Sequence, residues 1–367
     1  MPLAVLAADG SVVPAPERGG RPSAWSQDVA SLAALMTPGA RGTADHIFAS
    51  LQRVSSWDAH GPKLGRAGRA VLEQLDLELP EIIERAPSED GATRLVLRTG
   101  DGHKIEAVHM PRPHVKNPRT TFCISSQVGC AMGCTFCATG TMGIVRNLSA
   151  GEIVGQVLAL MRAHGPVRGH EINIVFMGMG EPLHNLDNVA RAVEILCDPR
   201  GVGLSARRIT VSTSGLVPRI ERFAALAVRP LLSVSINATT DETRSRIMPV
   251  NKAFNLATLK ATLLKYPYRT GEKVLLAYVL LQGENDSDDD AARLADFAAG
   301  LPANVNLIPL NEHSLTTHKA PDDSWIAAFS ARLYEALKAR EFSGVLTTRN
   351  NRGRDIRGAC GQLVQEA

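Results

Sequence analysis

Four of the six cysteines in the 367-residue chain lie within fifteen consecutive positions. Three of them, Cys130, Cys134 and Cys137, form a C-x3-C-x2-C pattern in a stretch that contains glycine. Thiolates are the usual ligands of 4Fe–4S clusters, which ordinarily take four of them. Because no fourth cysteine follows at a suitable spacing, the pattern predicts a cluster with one iron open to a non-protein ligand.

A structural zinc site is the alternative interpretation of these cysteines. Such a site usually closes with two pairs of Cys or His ligands. The loop supplies one half of that set, and no histidine follows within it. The ligand count therefore favours iron and sulfur over zinc. Cys197, in the helical stretch VEILCDP, is better interpreted as a small packed residue than as a ligand.

Alternating strand and helix patterns predict the elements that position these cysteines. Helical patterns separate most of seven strand-like stretches, which begin near residues 120, 172, 207, 231, 273, 305 and 344. This alternation predicts an α/β fold with a parallel sheet. No nucleotide-binding glycine fingerprint follows the first strand, which favours a complete or partial (β/α) barrel. Barrel ligands gather at the carboxyl ends of the strands, and the distinctive residues fall there.

Composition divides the remaining chain into further segments. Residues 1–30 are rich in Pro, Gly, Ala and Ser and are predicted to be flexible. Residues 31–87 carry helical patterns, including LPEIIERA, and predict a small helical accessory domain. Residues 88–118 predict a β-hairpin-like connection around the turn GDG. Residues 119–367 then form the barrel core with a cysteine-containing C-terminal segment.

The overall composition is that of a globular protein, with 44% hydrophobic residues, 21% charged residues and a net charge of +3. No apolar run reaches the roughly 18 residues that span a bilayer, and the N-terminus lacks the basic segment of a signal peptide. We therefore expect a cytoplasmic protein with no membrane partner. In that compartment clustered cysteines serve as ligands or catalysts. The small net charge permits an RNA partner without predicting one.

The cysteine spacing after the first barrel strand resembles the radical S-adenosylmethionine (SAM) superfamily, with Phe136 at the aromatic position of its pattern. Further motifs follow in order between residues 88 and 364: CISSQVGCAMGCTFCATG, RNLSAGEIVGQV, FMGMGEPLHN, RRITVSTSG, MPVNK, VNLIPLN and DIRGACGQL. Together they resemble the RlmN/Cfr family of radical-SAM RNA methyltransferases. The resemblance implies a partial radical-SAM barrel, and a 4Fe–4S cluster on three cysteines with SAM on the open iron.

The resemblance also implies roles for two further cysteines. Adenine ring carbons 2 and 8 are electron-poor and cannot attack SAM, whereas a thiolate can. Cys360 would accept a methyl group from one SAM, and a second SAM would supply the radical that activates this methyl group. The methyl carbon would add to adenine, and Cys123 would release the product by forming a disulfide with Cys360. Two packed thiols are the alternative interpretation.

Glu106 in KIEAVHMP matches the proton acceptor of the family. The segment between Glu106 and Cys123 is a few residues longer here than in family members. A solvent-exposed strand glutamate is the alternative interpretation. The resemblance further implies SAM contacts, with a carboxylate at Glu181 placed to accept from the amino group of SAM. The implied SAM contacts are Gly180, Glu181, Ser212, Ser235, Ile236, Asn237 and Asn311.

Asn237 stands where many family members have His, so a pH-dependent role of that position would be lost. The resemblance favours methylation of adenine carbon 2 in 23S rRNA and extends to tRNA, with two SAM molecules per turnover. It implies an electron donor such as a flavodoxin or ferredoxin, and we expect a monomer. Cfr-type carbon-8 methylation, a radical-SAM enzyme with another substrate, and a zinc-stabilised RNA-binding module are the alternatives.

Basic residues concentrate near Cys360 in the sequence TTRNNRGRDIR. Because arginines contact RNA phosphates, this segment predicts a phosphate-binding loop, with a solvated basic tail as the alternative. The target base would have to turn out of its stack to meet the cysteines. The arginines are Arg349, Arg352, Arg354 and Arg357.

Overall fold

The computed structural model describes residues 20–39, 43–53, 63–112, 119–164, 171–349 and 352–363. The strands of this part of the chain are β1 (Glu81–Pro87), β2 (Thr93–Arg98), β3 (Lys104–Arg112), β4 (Arg119–Cys123), β5 (Gln127–Gly129), β6 (Ile144–Asn147), β7 (Ile172–Phe176), β8 (Ile209–Thr213), β9 (Leu231–Ser235), β10 (Val274–Leu280), β11 (Ala303–Pro309) and β12 (Leu346–Thr348). The α-helices of the same part are α1 (Val29–Ala34), α2 (Ala44–Gln52), α3 (Arg66–Leu72), α4 (Ala138–Thr141), α5 (Ala150–His164), α6 (Leu186–Cys197), α7 (Val217–Ala224), α8 (Asp241–Ile247), α9 (Leu256–Lys265), α10 (Asp288–Ala298) and α11 (Asp323–Lys338).

Ten of these strands form one mixed sheet, in the order β1–β2–β3–β4–β7–β8–β9–β10–β11–β12. The pairings from β1 to β4 are antiparallel. From β4 onward every pairing is parallel. The α/β fold with a parallel sheet from residue 120 onward is therefore confirmed. β5 and β6 form a separate antiparallel pair on either side of the cysteine loop, residues 130–137.

Burial on both faces explains why the parallel strands are apolar. β10 has the sequence VLLAYVL, and five of its seven residues are buried. The covering helices are amphipathic: α6 buries Leu186, Val189, Val193 and Leu196 along one face, as a 3.6-residue period requires. That helix packs against α5, which is buried along most of its length. None of the described helices is long and apolar enough to cross a membrane.

The C-terminal segment occupies the space between the last strand and the antiparallel extension. Within the described residues no ladder joins β12 back to β4, so the sheet is open in its hydrogen bonding. Arg352 Nη1 donates to Pro111 O at 2.7 Å, and Gly353 N donates to Asp90 Oδ2 at 2.7 Å. Residues 352–363 are thereby held against β3 and the turn before β2, and the fold is a partial barrel.

Residues 1–30 were predicted to be flexible; residues 1–19 of this segment lie outside the described residues, and the part from residue 20 onward is packed. Trp25 is 1% exposed and lies in a 3-10 turn, Ala24–Ser26. Its indole Nε1 donates to Glu78 O at 2.9 Å, and Ala24 N donates to Asp76 O at 2.8 Å. A single aromatic anchor in a stretch rich in Pro and Gly accounts for the difference. The division of the chain into domains stays a prediction.

The helical pattern predicted over EIIERA is wrong, because this stretch forms β1. Most β1 side chains are exposed, and a register shift lies between Ile82 and Glu84. An exposed edge strand lacks the alternating apolar face that identifies strands in sequence. The predicted hairpin-like connection, residues 88–118, contains β2 and β3. These strands extend the main sheet through β4 and so form part of its architecture.

Candidate active site

A cavity of about 1180 Å³ lies along the parallel strands, and every strand from β4 and β7 to β12 contributes to its lining. Its carboxyl end contains most of the residues that the sequence predicted for the site. Cys123, Glu106 and Ile236 are outside this lining. The predicted residues that line the cavity are Cys130, Cys134, Cys137, Gly180, Glu181, Ser212, Ser235, Asn237, Asn311 and Cys360.

Backbone hydrogen bonds fix the cysteine loop to two other segments. Thr135 N donates to Ile247 O at 3.0 Å, at the end of α8. Ala138, the first residue of α4, donates its N–H to Gly361 O at 2.7 Å. This second bond connects the three-cysteine loop to the segment that carries Cys360.

The three thiols fit a 4Fe–4S cluster as donors. Cys130 is buried, while Cys134 and Cys137 are half-buried. Burial raises the pKa of each thiol, so thiolates at these positions require the positive charge of bound metal. No three His, Cys, Asp or Glu side chains in the described part of the chain are placed to hold a single ion. Each cysteine of a cubane binds its own iron, so convergence on one point is not required.

The FMGMGEP turn after β7 packs against the segment leading to the cysteine loop. Gly180 has φ of 101°, and a Cβ there would lie 2.6 Å from Gln127 Cβ. A side chain at position 180 would clash with Gln127, so the packing of this turn requires glycine there. Glu181 is buried, and its carboxylate accepts from Leu183 N at 3.1 Å and Ser214 N at 2.7 Å. Burial raises the pKa of Glu181, and both hydrogen bonds oppose the rise. The carboxylate retains lone pairs for a cofactor amino group.

Arg244 connects the ends of β8 and β9 and was not among the site residues predicted from the sequence. Its completely buried guanidinium donates to Ser214 O at 2.7 Å and to Ser235 O and Ile236 O at 3.0 Å. Nη1 donates to Asn251 Oδ1 at 3.0 Å. No described carboxylate forms an ion pair with it, and burial lowers its pKa to about 10. Its position four residues before MPVNK is the signal that could have identified it.

Asn311 is the predicted cofactor residue with an unused buried acceptor. Its Nδ2 donates to Cys360 O at 2.9 Å. Its Oδ1 is buried with no hydrogen-bond partner among the described residues. A cofactor with a polar donor would satisfy this oxygen, because a buried polar atom without a partner is unfavourable.

Asn237 has a left-handed backbone, with φ of 53°, which Asn adopts more readily than most residues. Its Oδ1 accepts from Val279 N at 2.8 Å, and its Nδ2 donates to Met248 Sδ at 3.3 Å. The side chain is therefore held within the protein, although the residue lines the cavity. Ile236 contributes to the site through its backbone carbonyl, which accepts a hydrogen bond from Arg244.

Cys123 and Cys360 line a second, much smaller cavity, and Cys360 and Arg349 belong to both linings. Both cysteines are free thiols. Arg349 Nη1 donates to Cys360 Sγ at 3.2 Å, and a cation in this position stabilises a thiolate. Burial, together with the charge of Cys360, raises the pKa of Cys123 to about 12, and Arg349 opposes the rise. The two thiols predicted for a methyl relay are therefore neighbours.

Glu106 is 1% exposed, so the alternative of a solvent-exposed glutamate is wrong. Its carboxylate pairs with Arg94 Nη1 at 2.5 Å. Val108 lies opposite Cys123 in the register of β3 and β4. Because residues two apart on a strand share a face, Glu106 lies on the same sheet face as Cys123.

The C-terminal arginines differ from one another in position. Arg354 and Arg357 are exposed, whereas Arg349 contacts Cys360 and Arg352 donates to the β3 backbone. A second set at the opposite end of the cavity was missed. Two of its arginines begin the motif RRITVSTSG, but no sequence pattern joins them to the other two. This set, called the arginine edge, lines the cavity beside the starts of β4 and β8 and consists of Arg112, Arg119, Arg207 and Arg208.

Comparison with known proteins first identifies the class of enzyme. Residues 124–295 match the Radical SAM superfamily. A crystal structure of a radical SAM methyltransferase from Sphaerobacter thermophilus is 39% identical to the chain, with a TM-score of 0.82. That similarity covers 94% of this chain and 100% of the other. The protein is therefore a radical SAM enzyme, a class that implies a 4Fe–4S cluster and SAM.

Curated relatives then give the family. The "Dual-specificity RNA methyltransferase RlmN" of Dinoroseobacter shibae is 44% identical over 312 residues, which cover 82% of this chain and 76% of the relative. A protein of the same name from Syntrophotalea carbinolica is 47% identical over 303 residues, covering 82% and 77%. The chain belongs to the RlmN/Cfr family of radical SAM methyltransferases.

Proposed function

We propose that the protein methylates carbon 2 of an adenine in 23S rRNA and in tRNA. The observation that carries the proposal is the small cavity shared by Cys123 and Cys360, which adjoins the large cavity lined by the cysteine loop. A methyl relay needs one thiol to carry the methyl group and another within reach to release the product. The names of the curated relatives support RNA as the substrate.

Cys130, Cys134 and Cys137 would hold the cluster, and the lining around Glu181 and Asn311 would hold SAM. The bound cluster would supply the electron for reductive cleavage of SAM. Glu181 and Asn311 offer acceptors for polar groups of the cofactor. Two SAM molecules are used per turnover, one for the methyl group and one for the radical.

Cys360 begins the relay as a thiolate that takes the methyl group of SAM in a substitution at carbon. Arg349 holds the sulfur through the hydrogen bond from Nη1 and stabilises the negative charge before transfer. After transfer the sulfur is a neutral thioether. The methyl carbon would lose one hydrogen atom to the adenosyl fragment of the second SAM. It then forms a bond to the adenine carbon and links protein to RNA.

Cys123 and Glu106 complete the reaction. Glu106 accepts the proton of the substituted ring carbon, and the unpaired electron of the adduct would return to the cluster. Arg94 keeps the carboxylate in place. The Cys123 thiolate attacks the Cys360 sulfur, so that an S–S bond forms and the S–CH2 bond breaks. The electron pair passes to the methylene carbon, which takes up a proton and becomes the methyl group. The disulfide then requires a two-electron reductant.

Nucleoside mass spectrometry of 23S rRNA and tRNA, with 2-methyladenosine and 8-methyladenosine as standards, tests the product. We expect 2-methyladenosine. Cys360→Ala should lower methylation by at least about 10⁴-fold, as the loss of a covalent nucleophile does. Cys123→Ala should accumulate a covalent protein–RNA adduct on a denaturing gel. Cys197→Ala is the matched control and should retain activity. An active Cys360→Ala enzyme would contradict the relay, and 8-methyladenosine as the product would replace carbon 2 with carbon 8.

A flavodoxin or ferredoxin is the proposed electron donor, and a monomer is the proposed state. Each is tested directly, by turnover with purified donors and by light scattering of the reconstituted protein.

A further inference from the structure

The arginine edge marks a second end of the large cavity. β4 starts at Arg119, and β8 starts directly after Arg208. β3 runs antiparallel to β4, so that its last residue, Arg112, pairs with Arg119. All four arginines therefore lie beside the amino ends of parallel strands, while the cysteine loop follows their carboxyl ends. Arg112, Arg119 and Arg207 are exposed, so the cavity reaches the surface at this edge.

The arginine edge carries positive charge that the described carboxylates do not neutralise. Within the described residues, none of its four arginines forms an ion pair with a carboxylate. Arg208 Nη1 donates to the neutral amide oxygen of Asn173 at 3.2 Å. Elsewhere on the surface, Arg222 pairs with Asp187 at 2.6 Å and Arg340 with Asp296 at 2.6 Å.

The wider lining also has more arginines than carboxylates, although Arg352 pairs with Asp90 outside the lining. It contains six arginines and a single carboxylate, that of Glu181. This carboxylate lies at the opposite end of the strands and is occupied by two backbone N–H groups. A cavity of one sign attracts ligands of the other sign, and here that ligand is a polyanion.

Arg112 and Arg119 are direct cross-strand partners in the ladder of β3 and β4. Like charges opposite each other destabilise a sheet. Their juxtaposition at the mouth of a cavity is what a site for a bound anion requires, because the anion relieves the repulsion.

The distance from the arginine edge to the thiols suits one nucleotide. Arg119 and Cys123 are the ends of β4, about 13 Å apart at roughly 3.3 Å per residue. An arginine side chain and a nucleotide turned out of its stack span this distance together. The intervening walls include Val175, Leu275, Ala277 and Ile308, which offer an apolar surface to a flat base.

We propose that RNA enters the cavity at the arginine edge, where the four arginines bind phosphates of nucleotides flanking the target base. The base then points along the strands toward Cys123 and Cys360. This inference rests on the proposed function, and it assigns RNA binding to residues outside the C-terminal basic segment.

The test compares two quadruple variants that remove the same charge. The first is R112Q/R119Q/R207Q/R208Q. The control is R200Q/R222Q/R246Q/R340Q, in which each replaced arginine pairs with an aspartate or glutamate away from the cavity. The probe is a fluorescein-labelled RNA hairpin with adenines in its loop, and the protein is the reconstituted full chain. Iron content and SAM binding report whether the cysteine loop and the carboxyl end of the cavity are intact.

The first variant should bind the hairpin at least about 100-fold more weakly than wild type. The slope of log affinity against log salt should fall by about 3, at roughly 0.7 per lost phosphate contact. SAM affinity and iron content should be unchanged. The control should retain RNA affinity within about threefold, because charge far from the contact is screened. The single variant R207Q should show about one quarter of the change in slope.

Two results would overturn the inference in distinguishable ways. If wild type methylates RNA and both quadruple variants bind the hairpin equally well, RNA entry at this edge is wrong while the proposed function stands. If wild type neither binds nor methylates RNA, the proposed function fails and the inference fails with it.

Discussion

The two ends of the large cavity differ in how their charged side chains are paired. At the carboxyl end of the strands, charged groups are buried and saturated: Arg244 is surrounded by acceptors, and Glu181 accepts two backbone N–H groups. At the amino end, Arg112, Arg119 and Arg207 are exposed and have no carboxylate partner within the described residues. At the carboxyl end the chain satisfies the buried charges, whereas at the amino end the described residues leave exposed positive charge unbalanced.

This difference separates charged side chains that stabilise the site from charged side chains that are available to bind a ligand. A buried cation without a hydrogen-bond partner is costly, so a saturated one contributes to the fold. An exposed cation contributes little to stability and is free to bind an anion. We therefore expect substitutions at the carboxyl end to change stability first. Substitutions at the amino end should change RNA binding and leave the fold intact.

The largest expected effect on stability is that of Arg244→Met. Its removal leaves the buried carbonyls of Ser214, Ser235 and Ile236 without this donor, at about 1 to 3 kcal/mol for each unsatisfied group. We expect the free energy of unfolding of the metal-free protein to fall by about 3 to 5 kcal/mol in urea titrations. SAM affinity should also fall, because the same guanidinium joins the ends of β8 and β9.

Arg246→Met is the matched control on the same helix. Arg246 is exposed and pairs with Glu284, so its loss should change the free energy of unfolding by less than about 1 kcal/mol. Arg244→Lys should give an intermediate loss, since an ammonium reaches fewer of the acceptors. Equal stability of the two methionine variants would remove the distinction between the two ends of the cavity.

The same division separates what the sequence predicted from what it could not. The parallel strands have strong periodicity, and the cysteine loop and FMGMGEP are local motifs, so both could be identified along the chain. Arg112 and Arg208 are brought together only by the order β3–β4–β7–β8. Strand order and register depend on long-range contacts, which sequence spacing does not encode.

Residues that act through contacts were missed for a related reason. Arg349 is one of four arginines in a basic stretch, and sequence alone gives each of them the same role. Its contact with Cys360 distinguishes it from the exposed Arg354. In β1 the residues Ile82 and Ile83 are adjacent, which fits a helix as well as a strand, and pairing with β2 decides between the two.

A pH effect of intermediate size tests the burial of a histidine pair beside the C-terminal segment. His109 on β3 stacks on His164 with ring centroids 3.7 Å apart. Burial, then His164 and Arg352, lowers the pKa of His109 from 6.5 to about 4. A lowered histidine pKa contributes stability that is fully present above about pH 6.5 and is lost as pH falls toward 4.

Between pH 7 and pH 5 the wild-type protein should therefore lose about 1 kcal/mol more than His109→Phe, after allowance for the half-exposed ring. Urea unfolding of the metal-free proteins at both pH values measures this difference. His46→Gln, at an exposed position on α2, is the control and should follow wild type. If His109→Phe and wild type lose the same amount, the pKa of His109 is not lowered in the folded protein.

The smallest expected effect is an increase in the free energy of unfolding on removal of a charged side chain. It distinguishes the two ends of the cavity most directly. Arg119→Gln removes the like-charge partner of Arg112, so it should raise the free energy of unfolding by about 0.5 kcal/mol. The matched control is Arg98→Gln in the same sheet, where Arg98 lies opposite Glu81 and pairs with it at 2.5 Å. That variant loses an attraction and should be less stable by a similar amount.

Opposite signs from two chemically identical substitutions would separate local charge pairing from any general effect of replacing arginine with glutamine. The more stable Arg119→Gln protein should also bind RNA more weakly, because the repulsion that destabilises the free sheet is relieved by phosphate in the complex. Precise urea titrations of both variants at low salt, where surface charges interact most strongly, measure the signs. A loss of stability in Arg119→Gln would mean that this arginine serves the fold, and the amino end would then follow the same rule as the carboxyl end.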